Sequence, residues 1–174
     1  MTCGKEGFDF RRSTKVLSII DLSGKRGKGL SVIVDDEDFA WLSQYKWHYD
    51  RGYAAMTLRK QGRAQGILYM HRMVNKTPKN MSTDHVNGDK LDNRRANLRT
   101  CNQTQNNANS KLRAANTSGH KGVTWHKKAQ KWQAQIGVKG KCVYLGQFTE
   151  KQRAIEAYIR AATEHFGEFA NVNL

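Results

Sequence analysis

Cysteine is scarce and scattered: Cys3, Cys101 and Cys142 form no Cys-x-x-Cys pair. That spacing excludes a zinc ribbon, a zinc finger and a disulfide framework, and reduced thiols are the expectation. Nowhere do 18 apolar residues run together, so no segment reads as a membrane span. Residues 1–12 are polar and charged and lack the apolar region of a signal peptide. Acidic residues are also few. Fifteen Asp and Glu stand against 30 Lys and Arg, giving a net charge of +15. An excess this large points to a polyanionic partner, nucleic acid ahead of an anionic membrane surface. Hydrophobic residues make up 38% of 174, enough for one medium domain or two small ones, each marginal alone.

The deficit of acids is uneven. Residues 1–80 hold 15 basic and 8 acidic side chains, residues 81–110 hold 4 and 3, and residues 111–174 hold 11 and 4. Two basic flanks enclose a near-neutral centre. This suits an enzyme whose flanks grip phosphates while the centre does chemistry.

Residues 1–14 read as a flexible N-terminus. Lys15 to Ile20 and Leu30 to Val34 are apolar, β-branched runs around a basic, glycine-rich loop, the pattern of a hairpin. Asp35 or Asp36 is placed to cap a short helix with Phe39, Leu42 and Tyr45 on its apolar side. Further short strands are expected at Trp47 to Tyr49, Tyr53 to Leu58 and Gly66 to Met70, with Arg59 to Arg63 a basic hairpin tip. His71 and Arg72 follow, ahead of Pro78, the single proline. His71 reads as a packing or orienting residue, with a second catalytic histidine as the alternative, and Arg72 as a phosphate contact. Residues 110–119 are small and polar, a linker. Beyond it, Gly122 to His126, Trp132 to Val138 and Cys142 to Phe148 read as three strands, the last two joined by a tight turn at Lys139-Gly140. Trp132, Ala134, Ile136 and Val138 share one face, as do Val143 and Leu145 in the next strand. Thr149 with Gln152 matches a capping box, and Ala154, Ala157, Tyr158, Ala161, Ala162 and His165 recur at helical spacing until Gly167.

The chemistry lies in the neutral centre. Asp84-His85 sets a carboxylate beside an imidazole, ahead of a turn rich in Asn and Asp and then Asn102, Asn106, Asn107 and Asn109. Such loops often only make turns. Yet phosphodiester hydrolysis needs an activated water and charge neutralisation, and a hard divalent ion prefers a few oxygen ligands, several waters and a substrate phosphate. Asp84 offers a carboxylate, an Asn on the following helix a neutral amide oxygen, and His85 a general base. Asn97 is placed to hydrogen-bond the imidazole.

The string Asp84-His85-x-Asn87-Gly88-Asp89-x-x-Asp92-Asn93-Arg94-x-x-Asn97-Leu98-Arg99, followed by Asn106, resembles the HNH endonuclease motif in the form carried by phage homing endonucleases. The resemblance implies a ββα-metal core in which Asp84 and Asn106 bind one divalent ion, Mg²⁺ with Mn²⁺ able to substitute. Asn102 and Asn107 are the rival ligands. It makes His85 the general base and gives Asn97 the task of organising the loop and the histidine. No structural zinc is expected.

A second likeness covers the C-terminal segment. Lys121-Gly122-Val123, Lys131-Trp132-x-Ala134-x-Ile136, Val143-Tyr144-Leu145-Gly146-x-Phe148, Ala157-Tyr158-x-x-Ala161-Ala162 and Asn171-x-Asn173 resemble the DNA-binding domain of plant ethylene-response factors. In that family the sheet lies in the major groove. This implies Lys121, Thr124, His126, Gln133, Gln135 and Tyr144 as groove-facing residues, with Lys127, Lys128, Lys139 and Lys141 on phosphates. Arg72 and Arg99 complete the candidate DNA contacts. Thr124, His126, Gly137 and Cys142 replace base-reading arginines of the plant pattern, so no target sequence carries over.

The expected fold class is α+β. A nuclease domain spans 15–109, with a β-rich N-terminal part and its motif at 83–109; 110–119 is a linker; and 120–174 form a three-stranded antiparallel sheet covered by one helix. The expected function is a metal-dependent endonuclease that nicks one strand of double-stranded DNA per active site. The alternative is a non-catalytic DNA-binding regulator with a vestigial nuclease. A cytoplasmic, phage-encoded protein is expected, as monomer or homodimer.

Overall fold

The computed structural model describes residues 17–112 and 114–172. The expected flexible N-terminus, the first residues of the first strand and Asn173 lie outside them. β1 (Leu17–Asp21) and β2 (Ser31–Asp35) form an antiparallel hairpin. Alternation sends Ile20, Val32 and Val34 inward, where they pack with Leu42, Trp47, Ala54, Met70, Val74 and Leu98. Trp47 buries its ring and donates Nε1–H to the Leu42 carbonyl at 2.8 Å.

α1 (Asp36–Leu42) departs from the expected pattern: Phe39 and Tyr45 are exposed, and Asp38 is buried in their stead. Asp38 turns inward because Arg95, far along the chain, donates to both of its oxygens at 2.8 and 2.6 Å. Asp35, at the helix N-cap, accepts from the Arg95 backbone N–H and makes no cap bond. β3 (His48–Asp50), β4 (Tyr53–Lys60) and β5 (Arg63–Tyr69) form a second antiparallel sheet that leads directly into α2 (Met70–Val74).

β6 (Ser82–His85) and β7 (Leu98–Cys101) pair antiparallel, with Asp84 opposite Arg99 and His85 opposite Leu98. The loop between them docks on β2 through Ile33 N–H to Leu91 O at 2.9 Å and Asn93 N–H to Ile33 O at 2.8 Å. α3 (Gln103–Asn109) follows at once, opened by a reciprocal cap between Asn102 and Gln105.

A second apolar core, made of two clusters that share Leu145 and Tyr158, holds the rest of the chain. β8 (Val123–His126), β9 (Lys131–Val138) and β10 (Lys141–Phe148) lie in the order β10-β9-β8, covered by α4 (Lys151–Phe166). Val123, Ala134, Ile136, Ala154, Ile155, Ala157, Ala161 and Ala162 are its buried members. A register shift between Tyr144 and Gly146 leaves Val143 exposed while Leu145 packs inward. The Thr149–Gln152 capping box does not form: Glu150 occupies the N-cap with no side-chain bond, and Gln152 reaches Glu156. His165 is exposed, and Ile155 takes a core place the alanine spacing did not suggest. The segment expected as a linker contains a turn organised by Asn116, which bonds His120 O, Ser118 Oγ and Gly119 N.

Candidate active site

Asp84, His85, Asn106, Asn107 and Asn109 line one open cleft of about 810 Å³, whose far wall carries Tyr53 and Lys90. Strand alternation alone would part Asp84 from His85, but β6 ends at His85 and the chain turns. Gly88 N–H bonds His85 O at 2.9 Å, with Gly88 at φ +70°. Lys111 lies against Gly88 so closely that an added Cβ would meet its Cε at 3.0 Å. The positive φ favours glycine here, whereas the Lys111 contact is with the end of a flexible side chain that can shift.

His85 is 5% exposed. Its Nε2 lies 2.9 Å from Asn93 Oδ1, and Asn93 is completely buried. The neutral tautomer with its proton on Nε2 would donate to that oxygen and leave the lone pair on Nδ1. This corrects the assignment of the imidazole contact to Asn97. Asn97 braces the loop instead, accepting from Asn87 N–H at 2.9 Å and donating to Asp92 O at 2.8 Å. The ring of His85 sits 5.2 Å from that of His71 and 5.9 Å from Tyr53. Burial pushes the His85 pKa down, opposed by the Asn93 bond and the carboxylates of Asp84, Asp89 and Asp92. His71 falls further, to about 3, through burial first and then the neighbouring His85, Arg72 and Lys90. Its Nδ1 is buried without a partner.

Asp84 accepts from Arg99 Nε at 2.9 Å and from Asn109 Nδ2 at 2.9 and 3.0 Å on its two oxygens. Asn109 also donates to His85 O. Sequence reasoning missed both Asn93 and Asn109. Asn109 stands three residues after Asn106, hence on the same helix face, and that spacing was a usable signal. Of the rival ligands, Asn102 is spent as the α3 cap, while Asn107 is exposed and accepts from Gln103 Nε2.

The donor chemistry fits a hard cation: a carboxylate and amide oxygens, with no thiolate in the cleft. Another acidic cluster, Asp35, Glu37 and Asp38, lies outside this cleft and is tied to Arg95 through its guanidinium and backbone N–H, much as Asp84 is tied to Arg99 and Asn109.

Residues 70–108, from α2 through β6 and β7 into α3, match the family model described as HNH endonuclease. The chain carries an HNH endonuclease domain. It is 27% identical over 149 residues to an uncharacterized HNH endonuclease of Acanthamoeba polyphaga mimivirus, covering 85% of this chain and 77% of that one. Protein 3.8 of Escherichia phage T7 is 36% identical over 64 residues, 37% of this chain and 53% of the relative. An AP2-like ethylene-responsive transcription factor of Arabidopsis thaliana is 39% identical over 57 residues, a third of this chain (33%) but only 12% of the plant protein. The HNH domain thus has viral relatives, and the plant likeness is a partial one.

The candidate DNA contacts separate into free and occupied. Thr124 is registered with Gln133, and Gln135 with Tyr144, on the face of the sheet away from α4. Tyr144 is 59% exposed there. Gln133 donates to Gln135, and His126 Nδ1 accepts from Ala129 N–H. Lys127, Lys128, Lys139 and Lys141 are exposed. Three expected contacts are occupied instead. Arg72 donates to the carbonyls of Met81 and Pro78, bracing the loop before β6. Arg99 is engaged by Asp84, the Glu168 carbonyl and the Phe169 ring. Lys121 donates to Ala108 O at 2.6 Å, and burial lowers its pKa. A cation is free for DNA only where the fold leaves it unpaired.

Proposed function

We propose that the HNH domain is a ββα-metal nuclease that hydrolyses phosphodiester bonds in double-stranded DNA, nicking one strand per active site, as a homing-type enzyme. The observation that carries this is the convergence of Asp84, His85 and Asn106 on one cleft, with Asn93 Oδ1 2.9 Å from His85 Nε2. Asp84 and Asn106 would hold Mg²⁺ or Mn²⁺, which when bound supplies charge neutralisation at the phosphate and support for the leaving oxygen. His85, neutral because burial lowers its pKa, receives the proton of the attacking water on Nδ1. Tyr53 and His71 wall the ring, and Asn93 keeps it from rotating. Lys90 and Lys111 at the cleft present positive charge to the strand. The outer face of β8-β9-β10, with Thr124, Gln133, Gln135, Tyr144 and the exposed lysines, holds the duplex. The complete residue set favours an active enzyme over a vestigial one.

The test is supercoiled plasmid incubated with the protein and Mg²⁺, with nicked and linear products separated. Nicked product that EDTA abolishes is expected. His85→Ala should slow cleavage by about 10²- to 10⁴-fold while DNA binding persists. Full activity in that variant refutes the assignment.

A further inference from the structure

α3, which carries Asn106, is a poor helix on its own. It has seven residues, six of them Gln, Thr or Asn, and helices so short and polar are marginal without packing. Its first turn is satisfied locally by the Asn102–Gln105 cap. Its last carbonyls are satisfied from beyond residue 119: Lys121 Nζ donates to Ala108 O at 2.6 Å, and Asn171 Nδ2 to Asn109 O at 2.9 Å. An ammonium at this end also complements the helix dipole. The same closing segment reaches the other side of the cleft. Arg99 donates to Glu168 O at 2.8 Å and lies 4.0 Å from the centroid of the buried Phe169 ring. The rest of its guanidinium holds Asp84, through Nε at 2.9 Å and a terminal nitrogen at 2.8 Å.

We propose that Lys121, Phe169 and Asn171 are positioning residues of the nuclease site: Phe169 sets Asp84 through Arg99, and Lys121 and Asn171 set Asn106 through the end of α3. The C-terminal sheet and helix therefore contribute to the cleavage step as well as to DNA affinity. This rests on the nuclease reading of the cleft. A displacement of reacting groups by an ångström costs about 10²-fold in rate, so a slack seam has a measurable cost.

The test uses the full chain with Phe169→Leu and Lys121→Met, and with Phe169→Tyr and Lys121→Arg as conservative partners. Single-turnover cleavage at saturating protein is expected to fall about 10- to 100-fold in the first pair. The Kd for duplex DNA should be unchanged, and the conservative pair should recover most of the rate. Hydrogen exchange at the α3 amides supplies a readout independent of activity. It should accelerate in Lys121→Met while α4 stays protected. Two results overturn the proposal: an unchanged saturated rate with weakened binding, which makes these residues DNA contacts, or unaltered α3 exchange in Lys121→Met. If the unsubstituted protein cuts no DNA, the nuclease reading fails, while the exchange measurement still decides whether the seam holds α3. Phe169→Leu sits in a buried seam and Lys121→Met at a half-exposed one, so misfolding of the first leaves the second to decide.

Discussion

Single side chains at this site are defined by what they are denied. His71 is 7% exposed, has no partner for Nδ1, and titrates at about 3 in place of 6.5. Its folded pKa lies below its unfolded one, so the unfolded chain binds more protons between the two values. Stability from this group is complete above about pH 6.5 and drains away as pH falls toward about 3. Urea unfolding followed across that range should show the loss, and His71→Gln should flatten it. An equal slope in both proteins would contradict the burial argument. The same scale explains which candidate residues were readable beforehand. Asp84, His85, Asn97 and Asn106 sit within 23 consecutive residues of the sequence, so local pattern alone could single them out. Which asparagine faces the imidazole was not readable. It depends on the loop docking on β2 at Ile33, a contact some 60 residues away along the chain.

At the scale of elements, periodicity was informative and end effects were not. The alternation of Trp132, Ala134, Ile136 and Val138 placed β9 with its buried face, and the Lys139-Gly140 turn joined it to β10. The bulge after Tyr144 is invisible to the alternation and marked only by the mid-strand Gly146, at φ +132°. The capping box expected at Thr149 and Gln152 does not form, because β10 runs to Phe148 and the helix starts only at Lys151, whereas one that was not anticipated forms at Asn102 and Gln105. The α3 cap should matter. Asn102→Ala removes the bond to Gln105 N–H and is expected to cost about 1 kcal/mol in chemical denaturation. No change in stability would mean that tertiary packing alone holds α3.

At the scale of the molecule, charge is spent unequally. Many of the 30 basic residues looked equivalent in the sequence, yet Arg72, Arg94, Arg95, Arg99 and Lys121 are committed to internal carbonyls and carboxylates. Long-range partners decide that, and no local pattern reveals them. Those left exposed on the sheet, Lys127, Lys128, Lys139 and Lys141, should set the salt sensitivity. Each one that meets a phosphate should flatten the plot of log K against log salt by about one unit when changed to Gln. Slopes that do not move would remove those lysines from the interface.

The seam between the two apolar cores has an asymmetry of its own. Its acceptors are main-chain oxygens, at Ala108, Asn109 and Glu168, while its donors are the side chains of Lys121, Asn171 and Arg99. Main-chain oxygens are present whatever residue stands there. Among the described residues, three donor side chains and the Phe169 ring carry these contacts. Under the proposed function, a foreign sheet module joined after residue 119 would mate with the HNH domain if it brought a lysine, an asparagine and a phenylalanine to those places, and target preference could then be exchanged by recombination without rebuilding the cleft.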